Sequence, residues 1–287
     1  MLAVCPAALG YDMMGAMLTI ATVNVNGLRA AWRKGMPAWI DAAQPDIILM
    51  QEVRAPDDIV HGFFSNGWSL VQQACDIKGR AGVAIATRHD IIAARIGLGP
   101  QQPEIPVDTG RWVEADIALE HGRTLTVVSA YIHSGTAGTP KMDEKYSYLN
   151  RVTTRLAELN TPDSLALVAG DINIAHTNND IKNWRGNKKS AGFLPEERAY
   201  LDQWFDAGWH DTHRDLVGEQ EGPYTWWSNR GQAFDNDSGW RIDYHLTTPE
   251  LFTHASYPRV DRAPSYDTRW SDHAPLVIDY SLTPASR

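Results

Sequence analysis

Short apolar runs that end in polar side chains constrain the fold of this chain more than any other feature. Residues 45–52 are PDIILMQE, residues 165–173 are LALVAGDIN, and residues 240–245 are WRIDYH. Runs of this length that are rich in Val, Ile and Leu predict buried strands rather than helices. Because buried strands seldom finish in carboxylates, amides and histidines, the ends of these strands are candidates for a functional site.

The polar residues at the strand ends are of types that bind metal ions or phosphate groups. They are Asn24 and Asn26, Gln51 and Glu52, Tyr131 and His133, Asp171 and Asn173, Asp243, and Asp272 with His273. Each alone has an ordinary explanation as a turn residue, a solvated strand end or a satisfied core histidine. Ligands of open sheets bind at strand ends, so the agreement among these strands favours a common site.

The pair Asp171 and Asn173 has two interpretations. Gly, Asp and Asn are standard turn residues, so GDIN after a buried strand predicts a turn. If the strand instead continues, both side chains project to one side of its C-terminal end, because residues i and i+2 share a face. This stretch alone leaves both interpretations open.

The residue types predict metal-assisted hydrolysis of a phosphate ester. The oxygen donors Glu52, Asp272 and Asn26 suit Mg²⁺ or Mn²⁺ rather than zinc. Asp171 can accept a proton from an attacking water, and Asn173 can orient that water or a phosphate oxygen. No Ser or Cys stands in a nucleophile-elbow motif, so a covalent enzyme intermediate is not implied.

A histidine and an aspartate complete the predicted chemistry. His273 can donate a hydrogen bond to a phosphate oxygen. It can do so if Asp243 fixes its tautomer by accepting from the other ring nitrogen.

The order of the predicted elements favours an α/β fold of two sheets packed on each other, with helices on both outer faces. Strands are predicted over 17–27, 45–52, 81–88, 91–98, 111–119, 124–133, 165–169, 240–248 and 273–282, and helices over 35–44, 140–159 and 194–208. In the second helix, Met142, Tyr146, Leu149, Val152 and Leu156 form an apolar stripe. We expect residues 17–287 to form one catalytic domain and the extension 1–16 to be disordered, with Met1 or Met17 as the start.

The composition limits the partners of the chain. The 287 residues carry a formal net charge of -9, so binding of nucleic acid would require a local basic patch. No apolar run approaches the length of a membrane span, so no membrane contact is expected. Cys5 and Cys75 form no CxxC pair, which predicts neither a disulfide framework nor a zinc site and favours a reducing, cytoplasmic setting.

A set of motifs, in a fixed order, resembles the exonuclease III family of AP endonucleases, within the deoxyribonuclease I-like endonuclease/exonuclease/phosphatase fold. The motifs are NVNGLRA (24–30), PDIILMQE (45–52), AYIHSG (130–135), AGDINIA (169–175), GNKKSAGFLPEER (186–198), YTWW (224–227), GWRIDY (239–244) and SDHAP (271–275). The resemblance implies a two-sheet sandwich and a magnesium-dependent nuclease. The expected substrate is double-stranded DNA that carries abasic sites or blocked 3′ ends. The expected enzyme cuts 5′ to the abasic site and cleans 3′ ends, and members of this family often also have 3′–5′ exonuclease activity. A cytoplasmic, bacterial-type monomer that associates with the nucleoid through DNA is expected.

The resemblance also implies a role for each matched residue. It makes Glu52 the central metal ligand, with Asn26 and Asp272 beside it, and Tyr131 and Asn24 face the phosphate. Asp171 acts on the water or the leaving group, with Asn173 next to it. Asp243 and His273 form a supporting pair. Asp171, Asn173 and His273 are alternative ligands of a second ion. The resemblance does not decide whether the site binds one metal ion or two.

Two further segments imply contacts with DNA. The stretch KNWRGNKKS, residues 182–190, is the clearest basic cluster in the chain, and we assign Arg185, Asn187, Lys188 and Lys189 to substrate binding, together with Arg29. Arg33 and Lys34 can add to this patch. A solvated charged loop is the alternative explanation.

Aromatic residues imply the substrate pocket. Trp226, Trp240 and Ile242 match positions that line the family's pocket for a sugar without a base, and ordinary core packing is the alternative. The loop YIHSGTAGT lacks the Arg that some relatives push into the duplex, so the balance of endonuclease and exonuclease activity stays open. The competing hypotheses are a phosphatase of the same fold, acting on a small or lipid phosphoester, and an inactive DNA-binding or scaffold protein.

Overall fold

The computed structural model describes residues 17–65, 67–99 and 105–285, which form two mixed sheets of six strands each. The strands are β1 Leu18–Asn24, β2 Ile47–Gln51, β3 Ser69–Gln73, β4 Val83–Thr87, β5 Ile91–Ile96, β6 Trp112–Ala118, β7 Thr124–Tyr131, β8 Leu165–Asp171, β9 His210–Asp211, β10 Asp243–Thr247, β11 Ala255–Val260 and β12 Leu276–Tyr280. The helices are α1 Leu28–Lys34, α2 Met36–Ala43, α3 Asp57–Phe63, α4 Pro140–Leu159, α5 Trp184–Asn187, α6 Pro195–Asp206, α7 Thr212–Val217 and α8 Pro249–Phe252. The disorder expected for 1–16 falls outside the described residues.

The two sheets pack face to face. The first has the strand order β11-β12-β1-β2-β4-β3, and the second has the order β5-β6-β7-β8-β10-β9. The core between them includes Ile20 and Leu49 from the first sheet and Val127 and Leu167 from the second. One outer core lies under α1, α2 and α3, and the other lies under α4 and α6. The predicted two-sheet α/β sandwich with outer helices is therefore confirmed. No described helix is long and apolar enough to cross a membrane.

Strand direction brings the polar strand ends to one edge of the sandwich. β1 and β2 are parallel in the first sheet, as β7 and β8 are in the second. β12 is antiparallel to β1, and β10 is antiparallel to β8, so β10 and β12 begin beside the points where their neighbours end. The residues at the C-terminal ends of β1, β2, β7 and β8 therefore lie close to the first residues of β10 and to the residues just before β12.

Two late strands begin further along the chain than the sequence predicts. The strand predicted at 240–248 starts at Asp243, and the one predicted at 273–282 starts at Leu276. The Trp240 N–H donates to Trp226 O and the Arg241 N–H donates to Asp180 O, so the backbone before Asp243 is paired outside the sheet. The buried Arg241 guanidinium also pairs with Asp180 and Asp211. Pro275 has no N–H to donate to a ladder. The elements that were not predicted are α1, α3, α5, α7, α8, β3, β9 and β11. Of these, β3 and β11 are only partly buried and lack a clean alternation.

Helix α4 has the predicted bounds but buries a charge within its apolar face. Of the predicted stripe, only Tyr146 is partly exposed, and its ring stacks on Tyr200. Lys145 and Tyr148 are buried in addition to the remaining members of the stripe. The helical period therefore identified the buried face correctly but not the cation within it.

Two buried histidines should make stability depend on pH. Burial lowers the pKa of His213 well below its usual value and that of His245 to about 3. Both are neutral in the fold, whereas the unfolded chain binds protons below a pKa of about 6.5. The free energy of unfolding should therefore fall as pH drops below about 6.5, by up to ~1.4 kcal/mol per pH unit per histidine.

Urea unfolding at pH 7.5 and pH 5.0 measures this effect. His213→Leu should reduce the difference in midpoint between the two pH values, because one suppressed protonation is removed. His61→Asn, at an exposed position on α3, is the control and should leave the difference unchanged. An equal pH difference in wild type and His213→Leu would contradict the assignment.

Candidate active site

Neighbouring strands of the second sheet bring three predicted site residues into a row. Tyr131 is the last residue of β7 and lies opposite Asp171, the last residue of β8. Asp171 in turn lies opposite Asp243, the first residue of β10. The register of the sheet alone therefore places a phenol and two carboxylates side by side.

Short side-chain-to-backbone turns end the key strands. The Asn173 N–H donates to Asp171 Oδ1 at 3.0 Å, and the Asn26 N–H donates to Asn24 Oδ1 at 3.0 Å. Asn173 and Asn26 have left-handed φ angles of 55° and 46°, so the strands do not continue through them. The strand extends two residues beyond its predicted end, through Gly170 to Asp171, and a turn follows at Asn173. Both interpretations are therefore partly correct, and both side chains line the same cavity.

Asp171 is held in a buried position between the two sheets. Its carboxylate is 2% exposed and accepts a 2.9 Å hydrogen bond from Asn24 Nδ2 of the first sheet. Burial raises the pKa of Asp171; the cation of His273 acts in the opposite direction, and the charge of Asp243 adds to the rise. The raised pKa suits a group that exchanges a proton during a reaction.

His273 and Asp243 form the predicted pair. His273 Nδ1 lies 2.8 Å from Asp243 Oδ2, and His273 Nε2 lies 3.8 Å from Asp171 Oδ2. Burial opposes the charged imidazole, but the carboxylates of Asp243 and then Asp171 outweigh it and raise the pKa of His273. His273 is therefore cationic at neutral pH, with Nδ1 donating to Asp243.

Glu52 stands at the mouth of the same site, just after β2. One carboxylate oxygen accepts a 2.5 Å hydrogen bond from the Tyr131 hydroxyl, and the other accepts from the guanidinium of Arg54. Burial, reinforced by Glu52 and Asp171, raises the pKa of Tyr131, so its hydroxyl stays protonated. Arg54 lines the cavity and was not predicted as a site residue, although it lies only two positions after Glu52.

Asp272 is held by two donors. Asn26 Nδ2 donates to Oδ1 at 2.9 Å, and Trp226 Nε1 donates to Oδ2 at 3.2 Å. Burial acts to raise the pKa of Asp272, but the charge of His273 and these hydrogen bonds lower it overall. Asp272 is therefore an ionised carboxylate on the cavity wall, as a ligand for a hard cation must be.

The donors present fit a magnesium-type ion. Glu52, Asp272 and Asn26 line one cavity and provide carboxylate and amide oxygens. Ligand atoms of Asp171, Asp243 and His273 also lie within 4.8 Å of one another. We favour the first set because all three of its members line the cavity, whereas Asp243 of the second set does not and is held by His273.

The cavity, with a volume of about 370 Å³, collects most of the predicted residues. It is lined by Asn26, Glu52, Tyr131, Asp171, Asn173, Trp226, Trp240, Ile242, Asp272 and His273, together with the unpredicted Ser134, Gly135, Ala191 and Gly192. The rings of Trp226 and Trp240 meet edge to face with centroids 6.1 Å apart. The two tryptophans therefore form an apolar wall beside the polar groups rather than part of a closed core.

Two of the polar strand-end residues are structural. Gln51 is buried and donates to Ser129 Oγ at 3.0 Å, within the core between the sheets. His133 Nε2 lies 2.9 Å from Asp108 Oδ1 and packs against Tyr148. Neither residue lines the cavity, because each is committed to a buried partner elsewhere.

The basic segment lies outside the cavity. Lys182 pairs with Glu221 at 2.8 Å, so this cation is neutralised by an acid that is distant in sequence. The Arg185 guanidinium and Lys188 Nζ lie 4.4 Å and 4.9 Å from the ring centroid of Trp184. Arg185, Lys188 and Lys189 are exposed, as is Arg29 on α1. The predicted patch therefore keeps most of its free cations, and Trp184 supports two of them.

Asn187 has a role within this segment. Its Nδ2 donates to Asn183 O at 2.9 Å, and its Oδ1 accepts from Ser190 Oγ at 3.0 Å. The side chain therefore holds the loop together, and its contact with substrate stays a prediction from the sequence.

The fold and the cavity define a class of protein: a two-sheet α/β sandwich with acid–base and metal-binding side chains at one edge. The sequence profile of the Endonuclease/Exonuclease/phosphatase family matches residues 21–273, and the chain belongs to this family. The exodeoxyribonuclease of Bacillus subtilis is 28% identical over 259 residues, covering 89% of this chain and 96% of that protein.

Solved structures agree with this assignment. An AP endonuclease from Archaeoglobus fulgidus superposes with a TM-score of 0.80 at 28% identity, covering 92% of this chain and 99% of the other. A 3′ phosphatase from Neisseria bound to product DNA hairpin gives 0.79 at 26% identity, covering 92% and 99% of the two chains. The resemblance inferred from the motifs is thereby confirmed.

Gly170 should be required for the position of Asp171. A Cβ at Gly170 would lie 1.9 Å from Ala130 O on the neighbouring strand, and its φ of 151° disfavours a side chain. Gly170→Ala should force β7 and β8 apart and lower the free energy of unfolding by at least ~2 kcal/mol.

Urea denaturation of matched variants provides the measurement. Gly62→Ala on α3 is the control, since a Cβ there meets no atom within 4 Å and alanine favours a helix by up to ~1 kcal/mol. Equal stabilities of the two variants would disprove the steric role of Gly170.

Proposed function

We propose that the chain is a magnesium-dependent DNA repair nuclease that cuts double-stranded DNA 5′ to abasic sites and trims or cleans 3′ ends. The observation that carries this proposal is the cavity that combines Glu52 and Asp272 with the His273–Asp243 pair and an apolar wall. Polar groups of this kind suit a phosphate ester, and a wall of tryptophan suits a bare sugar. The similarity to an AP endonuclease and to a 3′ phosphatase supports the choice of DNA.

The residues of the cavity have separate proposed roles, in metal binding and in proton transfer. Glu52, Asp272 and Asn26 would hold Mg²⁺, with Mn²⁺ as a substitute. When bound, such an ion neutralises phosphate charge and makes water more acidic. Asp171, with its raised pKa, takes a proton from the attacking water or gives one to the leaving oxygen.

Donors around the phosphate complete the proposed mechanism. His273 donates from Nε2 to a phosphate oxygen, since Nδ1 is bound to Asp243. The neutral Tyr131 hydroxyl becomes a second donor when its single hydrogen turns from Glu52 to the phosphate. Asn173, whose Nδ2 is fixed by the carbonyl of Ile132 at 3.0 Å, orients the water or a phosphate oxygen. These donors stabilise the charge that develops in the transition state.

Substrate choice follows from the apolar wall. An abasic nucleotide has no base to pair or stack, so it leaves the helix at lower cost than an intact one. Trp226, Trp240 and Ile242 can then pack against the bare sugar. The monomeric state and the cytoplasmic location stay predictions from the sequence.

Matched duplexes test the function and its metal dependence together. The substrates carry a stable abasic analogue, a 3′-phosphate or no lesion, with Mg²⁺, Mn²⁺ or a chelator. Wild type should cleave the duplexes with the abasic analogue or the 3′-phosphate faster than the duplex without a lesion. Glu52→Gln should lower cleavage by at least ~10²-fold, because the ion stabilises several kcal/mol of transition-state charge.

The exposed Glu120→Gln is the control and should cleave like wild type. Full activity in the chelator would rule out the metal mechanism. Ready hydrolysis of an inositol phosphate or lipid phosphoester, without cleavage of abasic DNA, would establish the phosphatase alternative instead.

The exposed cations Lys188 and Lys189 should supply affinity that does not depend on sequence. Replacing both with Ala should weaken binding to all duplexes alike and reduce the slope of log K against log salt by about one to two, near one per lost phosphate contact. Fluorescence anisotropy at several salt concentrations measures the slope. Arg123→Ala, at the opposite end of β7, is the control. An unchanged slope in the double variant would indicate a solvated loop.

A further inference from the structure

A buried ion pair lies directly behind the cavity. Lys145 Nζ on α4 is 2.5 Å from Glu197 Oε1 on α6, and both side chains are 0% exposed. Neither residue lines the cavity. The pair joins two helices that cover the outer face of the second sheet, where an apolar contact would be the ordinary choice.

Each member of the pair holds backbone that forms the cavity wall. Lys145 Nζ donates to Asn173 O at 2.9 Å and to Ser134 O at 3.5 Å. Glu197 Oε2 accepts from the N–H of Gly192 at 2.6 Å and of Leu194 at 3.0 Å. Asn173, Ser134 and Gly192 all line the cavity, so one ion pair connects three separate wall segments.

Stability alone does not explain this arrangement. Removing two charges from water costs several kcal/mol per ion, and well-packed neutral replacements of buried pairs are often neutral or stabilising. Burial lowers the pKa of Lys145, although Glu197 opposes the change. The bond from the Leu194 N–H caps the first turn of α6, whereas the bonds with Asn173, Ser134 and Gly192 hold backbone of the cavity wall.

We propose that Lys145 and Glu197 act together as a positioning unit that sets the Asp171–Asn173 turn against the wall at Gly192. This inference rests on the proposed nuclease function. The Asn173 carbonyl is fixed by Lys145, and the N–H of the same residue fixes the Asp171 carboxylate. A Cβ on Gly192 would lie 3.1 Å from Asn173 O and 3.2 Å from Trp240, so the two walls are in close contact.

The unit should affect turnover more than binding. Displacement of a reacting group by about 1 Å can lower a rate by ~10²-fold. Lys188 and Lys189, which are proposed to supply affinity for any duplex, lie outside the cavity. Lys145 and Glu197 touch no substrate, so their loss should lower kcat of abasic-duplex cleavage with little change in KM.

The decisive variant removes both charges. Lys145→Met or Glu197→Gln alone leaves a buried charge unpaired and can unfold the protein. The double variant K145M/E197Q leaves no charge, and the amide oxygen introduced at position 197 can still accept from the N–H of Gly192. We expect its stability in urea and its duplex affinity to match wild type, while kcat falls by ~10-fold or more. Hydrogen exchange of residues 191–194 should become faster.

A second variant and a control keep the test informative. Glu197→Asp retains the charge but withdraws the carboxylate by one methylene, so a several-fold loss of kcat with intact binding is expected even if the double variant unfolds. Arg155→Met on the same helix removes one of two arginines from buried Glu114 and should cost stability without changing kcat of the folded enzyme.

Wild-type kcat and unchanged exchange in either folded variant would overturn the inference. Wild type that cleaves none of the duplexes would instead overturn the proposed function. Faster exchange at 191–194 in the folded variants would still support the positioning role in that case.

Discussion

The hydrogen bond from Asn24 to Asp171 joins the two sheets where their parallel strands end. Asn24 closes β1 in one sheet and Asp171 closes β8 in the other, and the 2.9 Å contact between them is buried. A carboxylate in this position needs such a donor, because burial otherwise disfavours its charge. The same carboxylate accepts from the Asn173 N–H and faces His273. The active site therefore depends on the two sheets keeping one relative position.

The structure brings most of the predicted strand-end residues to one cavity because the sequence signal that marks them is local. A buried strand that ends in Asp or Asn places that residue at a sheet edge, whichever strands are neighbours, and topology then assembles the ends. The two interpretations of Asp171 and Asn173 were not true alternatives, since the turn that ends the strand is also what orients the carboxylate. Gln51 and His133 follow the same pattern but find buried partners, which only long-range contacts determine.

The support of the site could not be predicted in the same way. Lys145 is a cation in a helix with a clear apolar period, so sequence reasoning places its charge in solvent. Its partner Glu197 is 52 residues further on, and nothing in the local pattern connects the two. Arg241 with Asp180 and Asp211 is a similar case. Buried ion pairs depend on tertiary packing, which propensity and periodicity do not encode.

The acidic net charge has a consequence for how DNA would be chosen. A chain with a net charge of -9 gains little from long-range attraction, so encounter with undamaged duplex is not favoured. The exposed cations of one segment are concentrated near Trp184, whose ring supports Arg185 and Lys188 and limits their freedom before binding. Ile242 of the cavity wall belongs to the apolar cluster against which Trp184 packs. Under the proposed function, phosphate contact and sugar recognition would be coupled through this one apolar cluster, which would favour the damaged nucleotide by fit rather than by attraction to DNA in general.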